Sequence, residues 1–316
     1  MRKAFAKIVI GLARKDPKLV VLIGDISHYL FKDFEKEFPD RFYNIGICEQ
    51  TMVSVAAGLA INGMRPIIHT IAPFCVERAY EQIKIDLCYQ DLDVTMVSVG
   101  GSFDYAHLGC THHCYEDISI LRPLPNMQIY APGSDKEFED LFSKSWANAS
   151  PKYFKLIKDT HTQNINTMPG ECVMVNHAPS EYRKRIGEGT SLDQVAVFVN
   201  GHLLDAVLDC GNSLEHNIVY MPTIKPLTLK SKEKIKQVFK QTPRVLVVEE
   251  NSIIGGLADE ISHLASLSEQ PILLKKIGIP DKFLEEYGKA PEHRLALGLT
   301  AKHIGEKIAK LQKLPL

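Results

Sequence analysis

The sequence has 316 residues, of which 45% are hydrophobic and 24% charged, and its formal net charge is −1. This balance is typical of a globular protein of about two domains, and it provides no net field that would favour nucleic acid or an anionic membrane. The longest apolar runs, such as Val195–Val199, fall far short of the roughly 20 residues that span a bilayer, and no secretory h-region begins the chain. Seven scattered cysteines suit reduced thiols, so we expect a cytoplasmic protein.

Helical and strand-like patterns alternate through the first half of the chain. We predict helices over Lys3–Lys15, Thr51–Ile61, Phe74–Tyr89 and Asp135–Asn148, and strands over Leu19–Ile23, Pro66–Thr70, Val94–Val99, Gln128–Ala131 and Tyr153–Ile157. Between Asp159 and Ser191 the pattern is broken by proline and glycine, which indicates a linker. We interpret the basic cluster Arg183-Lys184-Arg185 as solvated surface rather than a phosphate site.

A second alternating block follows. It contains predicted strands at Gln194–Asn200, Ile218–Met221, Val245–Glu249 and Leu273–Ile277, and predicted helices at His202–Glu215 and Gly255–Ser266. Two such blocks predict an α/β protein with two parallel-sheet α/β domains. We place the first domain at residues 1–165, the linker at 166–190 and the second domain at 191–316.

The most informative segment surrounds Glu49. On composition alone, an acidic residue at the start of an Ala/Val-rich helix is most often a favourable N-terminal charge. The whole segment, however, reads PDRFYNIGICEQ over Pro39–Gln50. It resembles the P-x-R-x-x-N-x-G-I-x-E-Q motif of the pyrimidine-binding domain in the transketolase family.

Further segments resemble that family in the same order along the chain. They are Gly24-Asp25, Ala57–Ala60, Phe74 with Arg78-Ala79 and Gln82-Ile83, Gly109–His113, Glu116-Asp117, Arg122 with Pro125–Met127, Thr223–Leu227, Glu249-Glu250 and Gly255-Gly256. Each motif alone is weak, but their order is specific and covers nearly the whole chain. The resemblance implies the C-terminal half of a transketolase, namely its pyrimidine-binding and C-terminal domains.

The resemblance implies thiamine diphosphate as cofactor and gives Glu49 a catalytic role. In this family a glutamate hydrogen-bonds the aminopyrimidine ring and favours the imino tautomer that takes the proton from the thiazolium carbon. Such a glutamate must share a proton at neutral pH, which burial among apolar groups favours. Phe74 would pack on the aminopyrimidine or serve as a plain core aromatic, and Ile47 and Arg78 are further candidate cofactor contacts. The apolar residues expected around the carboxyl group are Ile45, Ile47, Val53 and Val55.

The loop Gly109–His113 indicates an altered substrate pocket. Leu108 stands where the family has an aspartate that touches substrate hydroxyls, and Gly100 where it has a phosphate-binding histidine. Lys158 stands where an arginine is expected, and Arg2 resembles the family's acceptor-phosphate arginine. His112 resembles a loop histidine near the reacting hydroxyls and is a second catalytic candidate. The resemblance therefore implies two-carbon ketol transfer on a modified or nucleotide-linked sugar.

Two more histidines are candidate substrate contacts, although structural roles fit them equally well. His28 follows the Gly24-Asp25 turn, and His69 ends a predicted strand at an edge where α/β proteins bind ligands. The run Cys110–Cys114 also contains two cysteines and two histidines. Four ligands within five residues could not easily surround one ion, so we expect no metal site on this chain.

The chain lacks a Gly-Asp-Gly sequence. In this family that motif supplies Mg²⁺ ligands for the cofactor diphosphate, so the resemblance implies a separate partner chain that holds the diphosphate and Mg²⁺, in an α2β2 assembly. Alternatives are a 1-deoxyxylulose-5-phosphate synthase-like activity, a 2-oxo acid dehydrogenase β subunit, a split enzyme for a sulfo-sugar or apiose-type ketose phosphate, and an inactive scaffold subunit.

Overall fold

The computed structural model describes residues 1–175, 194–211 and 216–316. The basic cluster at 183–185, most of the predicted linker and the end of the predicted helix His202–Glu215 lie outside these ranges. No helix in the described ranges is both long and apolar enough to cross a membrane.

The strands of the described residues form two sheets. In chain order they are β1 (Leu19–Ile23), β2 (Phe42–Asn44), β3 (Arg65–Ile71), β4 (Thr95–Val99), β5 (Gln128–Tyr130), β6 (Lys152–Lys155), β7 (Val173–Met174), β8 (Ala196–Val199), β9 (Asn217–Tyr220), β10 (Thr223–Lys225), β11 (Arg244–Ser252) and β12 (Leu273–Ile279). The first sheet has the order β10-β5-β6-β4-β3-β1-β2 and the second β12-β11-β8-β9-β7. Only β10 with β5 and β7 with β9 pair antiparallel within the ranges that the structure describes. The prediction of two mostly parallel α/β sheets is confirmed.

Helices cover the sheets. They are α1 (Arg2–Ala13), α2 (Lys32–Glu37), α3 (Glu49–Ile61), α4 (Ala72–Val76), α5 (Tyr80–Gln82), α6 (Asp117–Leu121), α7 (Asp135–Ser145), α8 (Leu204–Leu208), α9 (Leu229–Gln241), α10 (Leu257–Ser266), α11 (Ala290–Ala296) and α12 (Ala301–Gln312). A π-helical segment, Ile83–Cys88, follows α5. The central strands are apolar on both faces because helices pack on each side; β1, for example, is buried along its whole length.

The predicted helix Phe74–Tyr89 is not continuous. It divides into α4, α5 and the π-helical segment, with a turn at Glu77–Ala79 between the first two. The amides of Glu77 and Arg78 both donate to the carbonyl of Pro73, at 2.9 and 3.2 Å, so the chain makes one wide turn there.

Polar contacts join the two sheets into one body. The guanidinium of Arg122 donates to the carbonyl of Gly255 at 2.8 Å and pairs with Glu260 at 2.9 Å. Arg294 pairs with both Glu250 and Asp159, the latter at 2.5 Å. In addition, β10 follows the second sheet's β9 in the chain yet hydrogen-bonds to β5 of the first sheet. The second domain therefore completes the first sheet.

Candidate active site

Loops that follow parallel strands meet at one edge of the first sheet. Pairing places Ile23 of β1 beside His69 of β3, and Ile71 beside Val99 of β4. The segments after β2, β3 and β4 carry Glu49, Phe74 and His112 respectively. Ligands of α/β proteins bind at this edge because the loops there converge.

Asn44 fixes the turn that leads to Glu49. Its side-chain oxygen accepts hydrogen bonds from the amides of Asp25, at 3.1 Å, and Gly46, at 3.0 Å. Its amide group donates to the carboxylate of Asp25 at 3.1 Å. Gly46 adopts a φ of 76°, which favours glycine. The asparagine and glycine of the motif therefore set the direction in which the chain enters α3.

Glu49 is the first residue of α3 and only 1% exposed. Its carboxylate accepts a hydrogen bond from the guanidinium of Arg78 at 2.8 Å. The apolar neighbours expected from the sequence do not all enclose it, since Ile47 is 71% and Val55 40% exposed, while Val53 is buried. Ile47 and Val55 belong to a surface instead, because successive residues around a helix start point in different directions.

The side chain of Arg78 also covers Phe74. Its guanidinium carbon lies 4.1 Å from the centre of the Phe74 ring, a cation–π contact. Phe74 is half-buried, and the Arg78 side chain is 37% exposed. Glu49 thus contacts Arg78, and Arg78 contacts Phe74, at the edge of the sheet. The sequence assigns all three residues to cofactor binding, and that assignment remains a prediction.

The ring of His112 also contacts Phe74. The two rings are 5.2 Å apart and nearly perpendicular, at 76°. The Nδ1 atom of His112 lies 2.9 Å from the hydroxyl of Thr111. Partial burial lowers the pKa of His112, and the electrostatic effect of the nearby His107 and Arg78 side chains lowers it further. A neutral imidazole at neutral pH is able to accept a proton or donate a hydrogen bond.

Buried polar contacts hold the loop that carries His112. Asp117, fully buried at the start of α6, accepts hydrogen bonds from the hydroxyl of Tyr153 at 2.6 Å and the ammonium of Lys155 at 2.8 Å. The thiol of Cys114 lies 3.5 Å from the carboxylate of Glu77. Burial raises the pKa of Glu77 to about 7, with a contribution from Glu116.

A cavity of about 570 Å³ opens beside these residues. Arg2 and Lys158 both line it, as do Tyr105 and Asp104. The guanidinium of Arg2 donates to the hydroxyl of Tyr105, whose ring centre is 6.1 Å from that of His112. The cavity therefore adjoins the Glu49–Phe74–His112 region through Tyr105.

Sequence reasoning missed Tyr105. Gly100 has a φ of 75°, and a Cβ atom there would overlap the ring of Tyr105. The aromatic ring therefore occupies the space that a side chain at position 100, such as the family's histidine, would need. In the sequence, Gly100 is the one sign of the Tyr105 ring's position, because Tyr105 itself lies in a loop five residues later.

The structure does not place His28 and His69 among the residues that line the cavity. His28 stacks on Phe42 at 5.7 Å and pairs with Glu35 at 2.9 Å. His69 is fully buried against Phe5, at 5.0 Å, and its Nδ1 lies 2.7 Å from the carbonyl of Val97. Their roles as substrate contacts remain predictions.

The cysteine–histidine run does not form a cluster. Cys110 is exposed whereas Cys114 is buried. Within residues 1–175, 194–211 and 216–316, no three His, Cys, Asp or Glu side chains are grouped so that they could hold a metal ion.

Two family models match the chain. The pyrimidine-binding domain of transketolase matches residues 1–161, and the C-terminal domain of transketolase matches residues 194–304. The chain belongs to the transketolase family. It corresponds to the C-terminal half of a split transketolase, as predicted from its motifs.

Relatives of similar length support this assignment. The chain is 32% identical to an uncharacterized 33.6 kDa protein in the fasciation locus of Rhodococcoides fascians, covering 98% of this chain and 93% of the relative. It is 30% identical to a subunit of the apulose-4-phosphate transketolase of Actinobacillus succinogenes, covering 86% and 85%. A solved structure described as a split gene transketolase, inactive beta4 tetramer, is 29% identical, with a TM-score of 0.82 over 99% of this chain and 98% of that one.

Some residues of the transketolase motifs hold elements of the fold together. Arg41 donates to the carbonyls of Asp16, at 3.0 Å, and Ala13, at 3.1 Å, and so satisfies the end of α1. Arg122 connects the two sheets, as described above. The motif thus includes both site residues and residues that shape the fold.

Proposed function

We propose that this transketolase-family chain is one subunit of a thiamine-diphosphate-dependent enzyme that transfers a two-carbon ketol unit from a ketose donor to an aldehyde acceptor. The observation that carries the proposal is the buried carboxyl group of Glu49, linked through Arg78 to the ring of Phe74. When bound, thiamine diphosphate supplies a carbon nucleophile for sugar carbonyls.

The residues of the site suit the aminopyrimidine end of that cofactor. Phe74 offers an aromatic ring for stacking, and Glu49 offers a buried carboxyl oxygen for a ring nitrogen. His112, held 5.2 Å from Phe74, would donate or accept protons at substrate oxygens.

Replacement of Glu49 tests this proposal. We expect Glu49→Ala and Glu49→Gln, each assembled with the partner chain, to lower cofactor-dependent turnover by about 100-fold or more, because the proton-sharing group is lost. The matched control is Glu81→Ala, which removes an exposed glutamate of α5 in the neighbouring segment. Full turnover by Glu49→Ala would contradict the assignment.

A partner chain is part of the proposal. This chain lacks Gly-Asp-Gly, so the diphosphate and Mg²⁺ would be held by a second, cytoplasmic chain, in an α2β2 assembly. The Actinobacillus relative is itself named as one subunit of a transketolase, which supports a two-chain enzyme. We expect the isolated chain to show no turnover, and addition of a Gly-Asp-Gly-containing partner chain to restore it; ketol transfer by the isolated chain would exclude this arrangement.

The proposed substrate is a phosphorylated or otherwise modified sugar outside the ordinary pentose phosphates. Arg2 and Lys158 give the cavity positive charge suited to an anionic group, and Lys158 would act there as a point charge. Leu108 replaces the family's aspartate that touches sugar hydroxyls, and the Tyr105 ring fills the space of the family's phosphate-binding histidine. Ketol transfer between ordinary pentose phosphates at the rate of a housekeeping transketolase would refute this substrate class.

A further inference from the structure

Arg78 occupies both contacts that an aminopyrimidine ring would need in this chain. Its guanidinium donates to Glu49 at 2.8 Å, and the same planar group lies 4.1 Å from the centre of the Phe74 ring. An aminopyrimidine is also planar, carries N–H donors and would use the same carboxylate and the same aromatic ring. A ring bound to the same carboxylate oxygen and the same face of Phe74 would have to displace the guanidinium.

We propose that Arg78 is a placeholder for the cofactor ring, which pairs with Glu49 and covers Phe74 until cofactor displaces it. This inference rests on the proposed function and changes the expected role of Arg78. A residue that binds the cofactor would strengthen its binding, whereas a placeholder competes with it and weakens it.

The local structure suits a group that leaves. The Arg78 side chain is 37% exposed, while Glu49 is 1% exposed, so the arginine is able to turn into solvent and the carboxyl group is not. Arg78 lies in the turn between α4 and α5, outside either helix. Phe74 and Arg78 are four residues apart in the sequence, and their side chains meet at this turn.

Displacement of Arg78 would also change the charge around Glu49. While Arg78 is paired, its guanidinium supplies the counter-charge to Glu49 and occupies one carboxylate oxygen. Once it has left, that oxygen is free to accept a hydrogen bond from the cofactor ring. The same movement would therefore vacate the ring's place and free the oxygen that the ring needs.

Calorimetric titration of thiamine diphosphate in the presence of Mg²⁺ tests the inference on the assembled two-chain enzyme. We expect Arg78→Ala to bind the cofactor about tenfold more tightly than the unmodified enzyme, which corresponds to about 1.4 kcal/mol. Arg78→Lys keeps the charge but not the planar stacking group, and its dissociation constant should lie between the two. The matched control is Arg14→Ala, which breaks an exposed arginine–glutamate pair of the same 2.8 Å length with Glu37.

The outcomes separate the two proposals. Unchanged or weaker cofactor binding in both Arg78 variants, with unfolding temperatures equal to that of the control, would overturn the placeholder role and leave the proposed function standing. Absence of binding to every form, including the unmodified enzyme, would overturn both.

Discussion

His69 and His112 belong to the same sheet edge but have different surroundings. His112 is half-buried beside Phe74 and the Tyr105 ring, whereas His69 is enclosed by Phe5 and other aromatic residues. Burial lowers the pKa of His69 to about 4, although the hydrogen bond with the Val97 carbonyl acts in the opposite direction and raises it. His69 therefore contributes to the core as a neutral ring.

This burial predicts acid sensitivity. The unfolded chain takes up a proton at His69 near pH 6.5, but the folded chain does so only near pH 4. Between these values the unfolded state binds more protons, so the stability contribution is complete above pH 6.5 and is lost as the pH falls to about 4. The loss is of the order of 3 kcal/mol.

Urea denaturation at a series of pH values measures this effect. We expect His69→Gln, which keeps a donor for the Val97 carbonyl, to reduce the loss of stability between pH 6.5 and 4. The control is His263→Gln, at an exposed position of α10. An equal pH dependence in the His69 variant and the unmodified chain would show that His69 does not cause it.

At the scale of elements, α7 connects the two domains through Glu137. This fully buried carboxylate accepts hydrogen bonds from the amide of Gly133 at 2.8 Å and the hydroxyl of Tyr220 at 2.6 Å. Its other oxygen lies 2.7 Å from Nε2 of His161. Since Tyr220 belongs to β9, one side chain of the first domain satisfies polar groups from both domains.

Glu137→Ala should therefore destabilise the whole chain. It leaves three buried polar partners unsatisfied, and we expect a loss of about 3–5 kcal/mol in the free energy of unfolding. Glu137→Gln, which keeps the shape and an acceptor oxygen, should lose less. Differential scanning calorimetry measures both variants beside Glu139→Ala, an exposed position on the same helix; a loss in Glu137→Ala no larger than in Glu139→Ala would contradict this account.

The elements differ in how far the sequence predicts them. The predicted strand Leu19–Ile23 is confirmed at both ends, because an apolar run enclosed by polar residues defines a buried strand. Strand β10 was not predicted, since three residues carry no periodic pattern and its partner β5 lies in the other domain. The break after α4 was missed because the apolar spacing continues across it.

The same distinction holds for the site. Glu49, Phe74, Arg78 and His112 were selected by their resemblance to family motifs, and in the structure each contacts the next, in the order Glu49, Arg78, Phe74, His112. Tyr105 was not predicted, because its partner Arg2 lies 103 residues away. The burial of His69 likewise depends on α1, which packs over β3 from a distant part of the sequence.

At the scale of the whole molecule, five exposed apolar side chains form what we name the α3 surface. They lie in α3, in the loop before it, and in or directly after the adjoining π-helical segment: Ile47, Val55, Ile61, Ile85 and Tyr89. The hydroxyl of Ser54 on α3 donates to Asp86 at 2.7 Å, so the two helical segments adjoin at their exposed sides. Exposed apolar groups on adjoining segments are typical of interaction sites.

We expect the α3 surface to bind another subunit. Val55→Glu should place a charge in that interface and weaken subunit association at least about tenfold, because an unpaired charge is costly to bury. Sedimentation velocity, with and without the partner chain, measures the change. The control is Leu229→Glu, which alters a more exposed leucine at the start of α9; equal association of both variants would place the interface elsewhere.

Strand β10 connects the two domains, because it follows β9 of the second sheet in the chain and pairs with β5 of the first sheet. Without it, residues 1–165 would present the unpaired backbone of β5 as an open edge, which is a template for aggregation. Attempts to exchange the pyrimidine-binding module between relatives should therefore carry Thr223–Lys225 along with it. Recombination between related genes would likewise have to keep this strand, because its residues follow β9 of the second sheet whereas its hydrogen bonds are made to the first sheet.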